Sequence, residues 1–307
     1  MLWALALFFT AYCITRPALA SQSVKKALDM CAHGIIPSLF PFTAAVSIIN
    51  NSGLSDSAAR IIGRPIGIIF GIPRTAASAM LLGIVGGFPI GAICVRELYK
   101  SGTITKDDAE RLLGLTGCAG PAFCISAVGM TFFESTAFGG VLYISQIISV
   151  FIISLFGRSK SRRITHLHLL KKSESVSHII AKSISDSGTT MLKVCSFAVF
   201  FSVLGDVICA VFESRLGSLF CTVSMAVTEL SSAAVHCAEL GGTLGKLLCA
   251  FAVGFSGMSV HMQISSVISD CDLNMKRYYV TKLASGLVCF ALMLVYLQIS
   301  SLFSVYG

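Results

Sequence analysis

Apolar runs dominate the chain, and short polar connections separate one run from the next. A helix that crosses a bilayer needs about 20 apolar residues, and by that measure we predict about seven to nine membrane segments, some of them interrupted. The first run, Met1 to Thr15, is followed by Ala18-Leu19-Ala20, which imitates a signal-peptidase site. No basic residue precedes the run, and Arg16 and Pro17 disrupt the cleavage region, so we expect a retained first span over residues 1–20.

Two apolar runs of the first half are interrupted by residues that a helix tolerates poorly. Gly86-Gly87-Phe88-Pro89 lies within the run 76–95, and Gly117-Cys118-Ala119-Gly120-Pro121 lies within the run 115–133. Proline lacks an N–H group, and adjacent glycines weaken a helix further. Because backbone groups freed in hydrocarbon are costly, broken helices occur where protein or a water-filled cavity covers them. Such interrupted spans are typical of transporters.

The same layout recurs after residue 175. The run 219–240 has a polar centre, Thr228-Glu229-Leu230-Ser231-Ser232, and the run 247–268 contains Gly254-Phe255-Ser256-Gly257-Met258-Ser259. Each half is predicted to contain a short amphipathic helix, a span, two broken spans and a final span. We therefore predict four parts: a first span (residues 1–20), a first repeat (21–157), a linker (158–175) and a second repeat (176–307). Matching broken segments in two halves predict a substrate site where the repeats meet.

Composition and charge place the chain in a membrane. Of 307 residues, 55% are hydrophobic and 12% are charged, whereas soluble domains contain about 25% charged residues. The net charge of +8 does not indicate nucleic acid, because the basic residues concentrate in connections. The stretch 158–172 holds six basic residues and no acid, which predicts a cytoplasmic linker. Binding of this linker to anionic lipid head groups is compatible with that location.

Cysteine usage gives no sign of a metal site. The chain has 12 cysteines, most of them within apolar runs, and no C-x-x-C pair. We expect these residues to act as small packing side chains rather than as disulfides or metal ligands. We expect no cofactor.

Glu229 is the strongest candidate for an ion-coupling residue. Acids within a membrane are costly and usually functional, and a carboxyl group suits coupling to a proton or a cation. The alternative is a hairpin tip that reaches one membrane interface, where a glutamate costs little. Asp206 lies within a span and is a weaker candidate, and Arg96 and Glu97 are expected to pair with each other.

Candidate substrate ligands lie at the interruptions and in the run 247–268. Ser256 and Ser259 are three positions apart and would share one helix face if the helix continues, although small residues also serve close helix packing. In the first half, unwound backbone and helix ends would bind an anion, and a plain kink is the alternative. The candidate substrate-binding residues are Gly86, Gly87, Phe88, Pro89, Gly117, Gly120, Pro121, Thr228, Ser231, Ser232, Ser256, Gly257, Ser259, His261 and Gln263.

An enzyme is the less favoured interpretation. Gly254-Phe255-Ser256-Gly257 fits the G-x-S-G string of rhomboid-type intramembrane proteases. That dyad needs a histidine on a following span, and residues 283–302 contain none. The zinc-protease string H-E-x-x-H is also absent from the sequence, and we predict that the chain is not an enzyme.

Four strings in order carry a resemblance to a known family. They are Ile36-Pro37-Ser38-Leu39-Phe40-Pro41-Phe42, Gly86-Gly87-Phe88-Pro89-Ile90-Gly91-Ala92, Gly120-Pro121-Ala122-Phe123, and Gly254-Phe255-Ser256-Gly257-Met258-Ser259-Val260-His261-Met262-Gln263. Together they resemble the sporulation integral membrane proteins of the YlbJ type, also called stage V sporulation protein V. The resemblance covers nearly the whole chain.

The resemblance implies an all-α polytopic membrane protein with two inverted repeats, built from paired nucleoside-recognition Gate domains as in relatives of concentrative nucleoside transporters. It implies secondary transport of a small anionic solute, dipicolinic acid, across the cell membrane or outer forespore membrane of a Gram-positive spore former. Glu229 falls where the family places an acid, while Ser231 and Ser232 replace the more usual Thr or Asn.

Two other functions stay open at this stage, a transporter of a nucleoside-type solute and a non-transporting scaffold required for sporulation. The expected partners are a small-molecule substrate, a coupling proton or sodium ion, and membrane lipid, without nucleic acid. A homo-oligomer is left open.

Overall fold

A computed structural model describes residues 2–156 and 175–306, and within these ranges every regular element is helical. Nearly all of the basic linker predicted at 158–175 lies outside the described residues. The elements are α1 (Leu2–Thr15), α2 (Pro17–Met30), α3 (Ile36–Asn51), α4 (Leu54–Phe70), α5 (Ala77–Gly86), α6 (Ile90–Lys100), α7 (Lys106–Thr116), α8 (Thr136–Leu155), α9 (Val176–Thr228), α10 (Leu230–Leu240), α11 (Gly242–Phe255), α12 (Gly257–Val267) and α13 (Lys276–Tyr306), with π-helical segments at Cys31–Ile35 and Ala122–Phe132 and a 3₁₀ turn at Arg74–Ala76.

Five helices in the described ranges are long and apolar enough to cross a membrane. They are Pro17–Asn51, Thr136–Leu155, Val176–Thr228, Gly242–Val267 and Lys276–Leu302. A sixth crossing results if the pair 63–70 and 74–86, bent by 104°, is counted as one span. The seven to nine membrane segments predicted from the sequence include interrupted runs. Several of these runs fold as short helices and do not cross the membrane as single spans.

Each predicted amphipathic helix is continuous with the span that follows it. In the first half, the amphipathic segment runs on through a π-helical turn, Cys31–Ile35, as part of the 35-residue helix Pro17–Asn51. In the second half, α9 begins at Val176 and continues without a break to Gly217. The sequence pattern changes from amphipathic to apolar within each of these helices. Such a change in pattern does not require a break in the helix.

The first interrupted run folds back on itself. Helices α5 and α6 meet at a tip formed by Gly87, Phe88 and Pro89, where the Phe88–Pro89 peptide is cis. A Cβ placed on Gly91 would lie only 2.9 Å from the Cα of Gly83, although eight residues separate the two. In a straight helix these positions would be about 12 Å apart. We call this element hairpin A.

The run 219–240 folds in the same way. At Gly217, with φ of 75° and ψ of 176°, helix α9 reverses direction, so that a Cβ on Gly205 would lie 2.5 Å from the Met225 sulfur. A second reversal follows at Glu229, and Thr222 and His236, seven residues on either side of it, line one cavity. The last arm of α9 (218–228) and α10 thus form hairpin B, with Glu229 at its tip.

Each hairpin tip meets a break in another helix. Break A (117–121) separates α7 from the π-helical segment Ala122–Phe132, and break B at Ser256 separates α11 from α12. A Cβ on Gly87 would lie 2.6 Å from the Gly120 nitrogen, so hairpin A touches break A. A Cβ on Gly257 would likewise lie 3.2 Å from the Leu230 nitrogen and 3.5 Å from the Glu229 backbone, so hairpin B lies against break B. The same contact of tip and break therefore occurs once in each half of the chain.

Candidate functional site

Glu229 lies at the tip of hairpin B and is 2% exposed. Its backbone is extended, with φ of −143° and ψ of 122°, and it is the N-cap residue of α10. Its Oε2 atom accepts a 2.6 Å hydrogen bond from the Ser232 N–H, and Oε1 accepts a 3.4 Å bond from the Ser259 hydroxyl. Within the described residues, no lysine, arginine or histidine forms an ion pair with this carboxyl group. The interactions of Glu229 therefore come from neutral donors.

Break B is shaped so that α12 begins beside this carboxyl group. Ser256 and Gly257 both adopt left-handed backbone conformations, with φ of 76° and 69°. A Cβ on Gly257 would come within 3.2 Å of the Leu230 nitrogen, so a glycine allows the close approach of break B to hairpin B. The amino-terminal end of α12, which attracts negative charge, is thus close to Glu229.

One face of α12 carries Ser259 and Gln263, which are one helical turn apart. Ser259 donates to Glu229, while Gln263 is 5% exposed and its Oε1 atom has no hydrogen-bond partner among the described residues. Buried amide oxygens are normally hydrogen-bonded. The unpaired Gln263 oxygen lies on the same face of α12 as Ser259, and it could accept a hydrogen bond from a polar ligand.

His261 lies on another side of α12, away from this face. Its Nδ1 atom forms a 3.0 Å hydrogen bond with the Tyr278 hydroxyl, and the rings of Phe255 and Tyr279 lie 4.8 and 5.5 Å from its ring centre. The Nε2 atom is buried and has no partner among the described residues. The structure therefore places His261 in an aromatic cluster with α13 and does not bring it together with Ser259 and Gln263.

The backbone of break A is largely used by the protein itself. The Phe88 N–H donates to the Cys118 carbonyl at 2.8 Å. The buried Gln146 amide accepts from the Ala119 N–H at 3.0 Å and donates to the Ala119 carbonyl at 2.9 Å. Two donors that we expected to face a ligand, those of Phe88 and Ala119, are therefore bonded within the chain.

A buried lysine also contacts break A. Lys282 of α13 is 1% exposed, and its ammonium group donates a 2.6 Å hydrogen bond to the Gly117 carbonyl. Sequence reasoning missed this residue because the last span was placed at 283–302, which treated Lys282 as a flanking charge. It also missed Gln146, a single amide in a run that otherwise looked like an ordinary span. A lone polar side chain within an apolar run was the available signal for both.

Two cavities lie beside hairpin B, on the side of α2 and α9. Their volumes are about 580 and 310 Å³, and Lys26, Asp206 and His236 line both. Ser202 and Ser232 line the smaller cavity, and their hydroxyl groups are 2.7 Å apart. The N–H group of Ser232 donates to the Glu229 carboxyl group, so only this residue separates the smaller cavity from Glu229.

The other predicted site residues serve the hairpins and breaks locally. Thr228 donates to the Ser224 carbonyl at 2.9 Å, and Ser256 donates to the Val253 carbonyl at 3.4 Å. Ser231 is buried, Gly86 packs against Val46 and Ile90, and Pro121 precedes the π-helical segment. Arg96 pairs with Asp270 rather than with Glu97 as predicted, because the loop after α12 carries an acid to it.

Comparison with known proteins agrees with this architecture. No protein-family model matches the chain. The sporulation integral membrane protein YlbJ of Bacillus subtilis (strain 168) is 23% identical over 319 aligned positions, which cover 91% of this chain and 78% of that protein. Among solved structures, CNTnw in an inward-facing, substrate-bound state matches with a TM-score of 0.56 and 12% identity, covering 94% of this chain and 84% of CNTnw. A CNTnw variant in an intermediate state gives a TM-score of 0.51 at 12% identity, covering 95% and 82%.

The chain shares the fold of a concentrative nucleoside transporter. The predicted all-α fold and the multi-pass membrane location are thus confirmed. At 12% identity the likeness to CNTnw concerns the fold alone. The relationship to a sporulation membrane protein, first indicated by four short strings, extends over most of the chain.

Proposed function

We propose that the chain is a secondary transporter of a small anionic solute, with dipicolinic acid in endospore formation as the substrate. The observation that carries the proposal is the buried Glu229 carboxyl group at the contact of hairpin B and break B, without an ion-pair partner in the described residues. A buried acid costs free energy, and in membrane proteins such acids mark ion or substrate pathways. Discontinuous helices around it are the form that substrate sites of secondary transporters take.

The substrate would bind along α12, between the tip of hairpin B and break A. Ser259 offers a hydroxyl group and the start of α12 a positive helix end, both of which suit an anion. The unpaired Gln263 amide oxygen would accept a hydrogen bond from a donor group on the solute. An anion that binds beside Glu229 requires a neutral carboxyl group, because two negative charges in a buried site repel strongly. Binding of an anion would therefore bring a proton onto Glu229, and the solute and the proton would move together.

Dipicolinate is the substrate proposed because the sequence resembles the sporulation family and because YlbJ of Bacillus subtilis is a sporulation membrane protein. It is a small aromatic dianion, and one proton on Glu229 would offset part of its charge. A nucleoside-type solute is the second candidate, favoured by the shared fold with CNTnw. A polar but neutral solute would also suit the orphaned Gln263 amide.

Uptake into proteoliposomes tests the proposal. The purified protein is reconstituted, and uptake of radiolabelled dipicolinate and of uridine is measured under an imposed proton gradient and, separately, a sodium gradient. Uptake of dipicolinate supports the proposal. Uptake of uridine alone favours the nucleoside alternative, and uptake of neither solute favours the scaffold.

A further inference from the structure

Lys282 places its amino group in the interior of the protein, and in the ammonium form it would be a buried positive charge with no carboxylate partner among the described residues. Its side chain is 1% exposed, and among the described residues no carboxylate oxygen lies within 4 Å of its nitrogen in an ion pair. The titratable groups that act on it are the thiols of Cys118 and Cys289 and the imidazole of His261. A buried charge of this kind is costly unless other polar groups stabilise it.

The group that stabilises the ammonium is the end of a broken helix. Gly117 is the C-cap residue of α7, and its carbonyl oxygen accepts the 2.6 Å bond from Lys282. Helix carboxyl ends carry partial negative charge and favour a cation. In transporters with discontinuous helices, carbonyl groups of unwound backbone and the carboxyl ends of half-helices coordinate the sodium ion. Lys282 thus places a cation of its own at such a position.

The residues around Gly117 pack closely, and Lys282 supplies the group that bonds its carbonyl oxygen. A Cβ on Gly117 would lie 3.3 Å from the Tyr278 ring and 3.5 Å from the Ile264 side chain. The next residues of the break are fixed by Gln146, which bonds both backbone groups of Ala119. Loss of the lysine side chain would vacate the space beside the Gly117 carbonyl and remove the hydrogen bond that this oxygen accepts from Lys282.

We propose that the Lys282 ammonium group is a built-in cation at break A, and that this break therefore neither needs nor binds a sodium ion. The transport consequence, that uptake proceeds without sodium, rests on the proposed function. The binding consequence does not, because it concerns only the occupancy of break A.

Thermal unfolding of the full chain in detergent tests the inference without requiring transport. Midpoints are compared in sodium chloride and choline chloride at equal ionic strength and pH. Wild type should have the same midpoint in both salts. Lys282→Ala should unfold at a lower temperature in choline and regain about 3 °C or more in sodium, because sodium enters the vacated position and binds only the folded state.

Two control variants separate charge from packing. Lys282→Met refills the space without a charge, so its midpoint should be lowered equally in both salts. Lys276→Ala removes an exposed lysine of the same helix and should show no sodium response. If Lys282→Ala can be purified only in sodium, that result also supports the inference.

A wild-type midpoint that rises in sodium, or a Lys282→Ala midpoint that is indifferent to sodium, contradicts the inference. So does a Lys282→Ala protein that is unstable in both salts. A protein that responds as expected but carries neither dipicolinate nor uridine would overturn the proposed function and leave this inference standing.

Discussion

Gly83 and Gly91 lie on facing sides of hairpin A, so close that a Cβ on Gly91 would be 2.9 Å from the Gly83 Cα. The same Cβ would be 2.5 Å from the Thr116 carbonyl oxygen, so α7 closes the third side of the contact. Backbone atoms cannot move aside as flexible side chains do. The approach of the two arms therefore depends on glycine at both positions.

Gly91→Ala should destabilise the protein by about 1–3 kcal/mol or prevent folding, because overpacking of this kind forces backbone shifts. The fraction of monodisperse protein and the thermal midpoint in detergent are the measurements. Gly140→Ala in α8 is the matched control, since its Cβ would meet nothing within 4 Å. Equal behaviour of the two variants would contradict the close contact in hairpin A.

Gln146→Leu should destabilise the chain by removing both hydrogen bonds to Ala119 at break A. Each buried backbone group left unpaired costs about 1–3 kcal/mol. Gln146→Glu should be less damaging, because a buried carboxyl group takes the protonated form, which accepts from the Ala119 N–H and donates to the Ala119 carbonyl. Thermal midpoints in detergent rank the stabilities of these variants, with Gln298→Leu on the exposed side of α13 as the control. A Gln146→Leu midpoint equal to wild type would show that break A does not need its side-chain bridge.

The loop between α12 and α13 gives the chain a stability that depends on pH. Asp270 pairs with Arg96 and Lys100 across the two halves, and these charges hold the pKa of Asp270 below its usual range. A depressed folded-state pKa stabilises the protein above the unfolded pKa of about 3.9, and this contribution is lost as the pH falls further. Screening keeps the effect small because the groups are exposed.

Asp270→Asn should therefore lower the thermal midpoint at pH 7, and the difference from wild type should shrink below about pH 4. Asp186→Asn, an exposed acid of α9, serves as the control. A difference that stays constant over this range would mean that the charge of Asp270 is not what links the loop to α6.

Glu229→Gln separates substrate binding from proton coupling. A glutamine mimics the neutral carboxyl group that an anionic substrate requires, so exchange of labelled for unlabelled dipicolinate across the bilayer should persist. Accumulation driven by a proton gradient should be lost, because the side chain can no longer take up a proton. Glu239→Gln, an exposed acid of the same helix, should behave as wild type. Gradient-driven accumulation by Glu229→Gln at the wild-type rate would contradict the coupling role.

The positions of the breaks followed from local chemistry and could be predicted from the sequence. Glycine and proline at 86–89 and 117–121 mark places where a membrane helix cannot simply continue, and Glu229 marks the polar centre of the run 219–240. The direction of the chain after each break could not be predicted. Hairpin A folds back because Gly83, Gly91 and Thr116 meet, a contact between α5, α6 and α7 that no local pattern encodes.

The side chains that support the site were harder to recognise than those at its centre. Gln146 and Lys282 act on backbone groups of break A that are 27 and 165 residues away in sequence. The reversal at Gly217 falls in the connection that precedes the predicted run 219–240. His261, a polar residue near a break, forms a hydrogen bond with Tyr278, and its role in substrate binding stays a prediction.

The proton flux that accompanies the solute tests proton-coupled transport through Glu229 directly. Proteoliposomes are loaded with a pH-sensitive dye, and dipicolinate is added outside at equal internal and external pH. We expect the lumen of wild-type vesicles to acidify as dipicolinate enters, and Glu229→Gln vesicles to exchange dipicolinate without acidification. Dipicolinate entry into wild-type vesicles without any change in internal pH would contradict proton coupling.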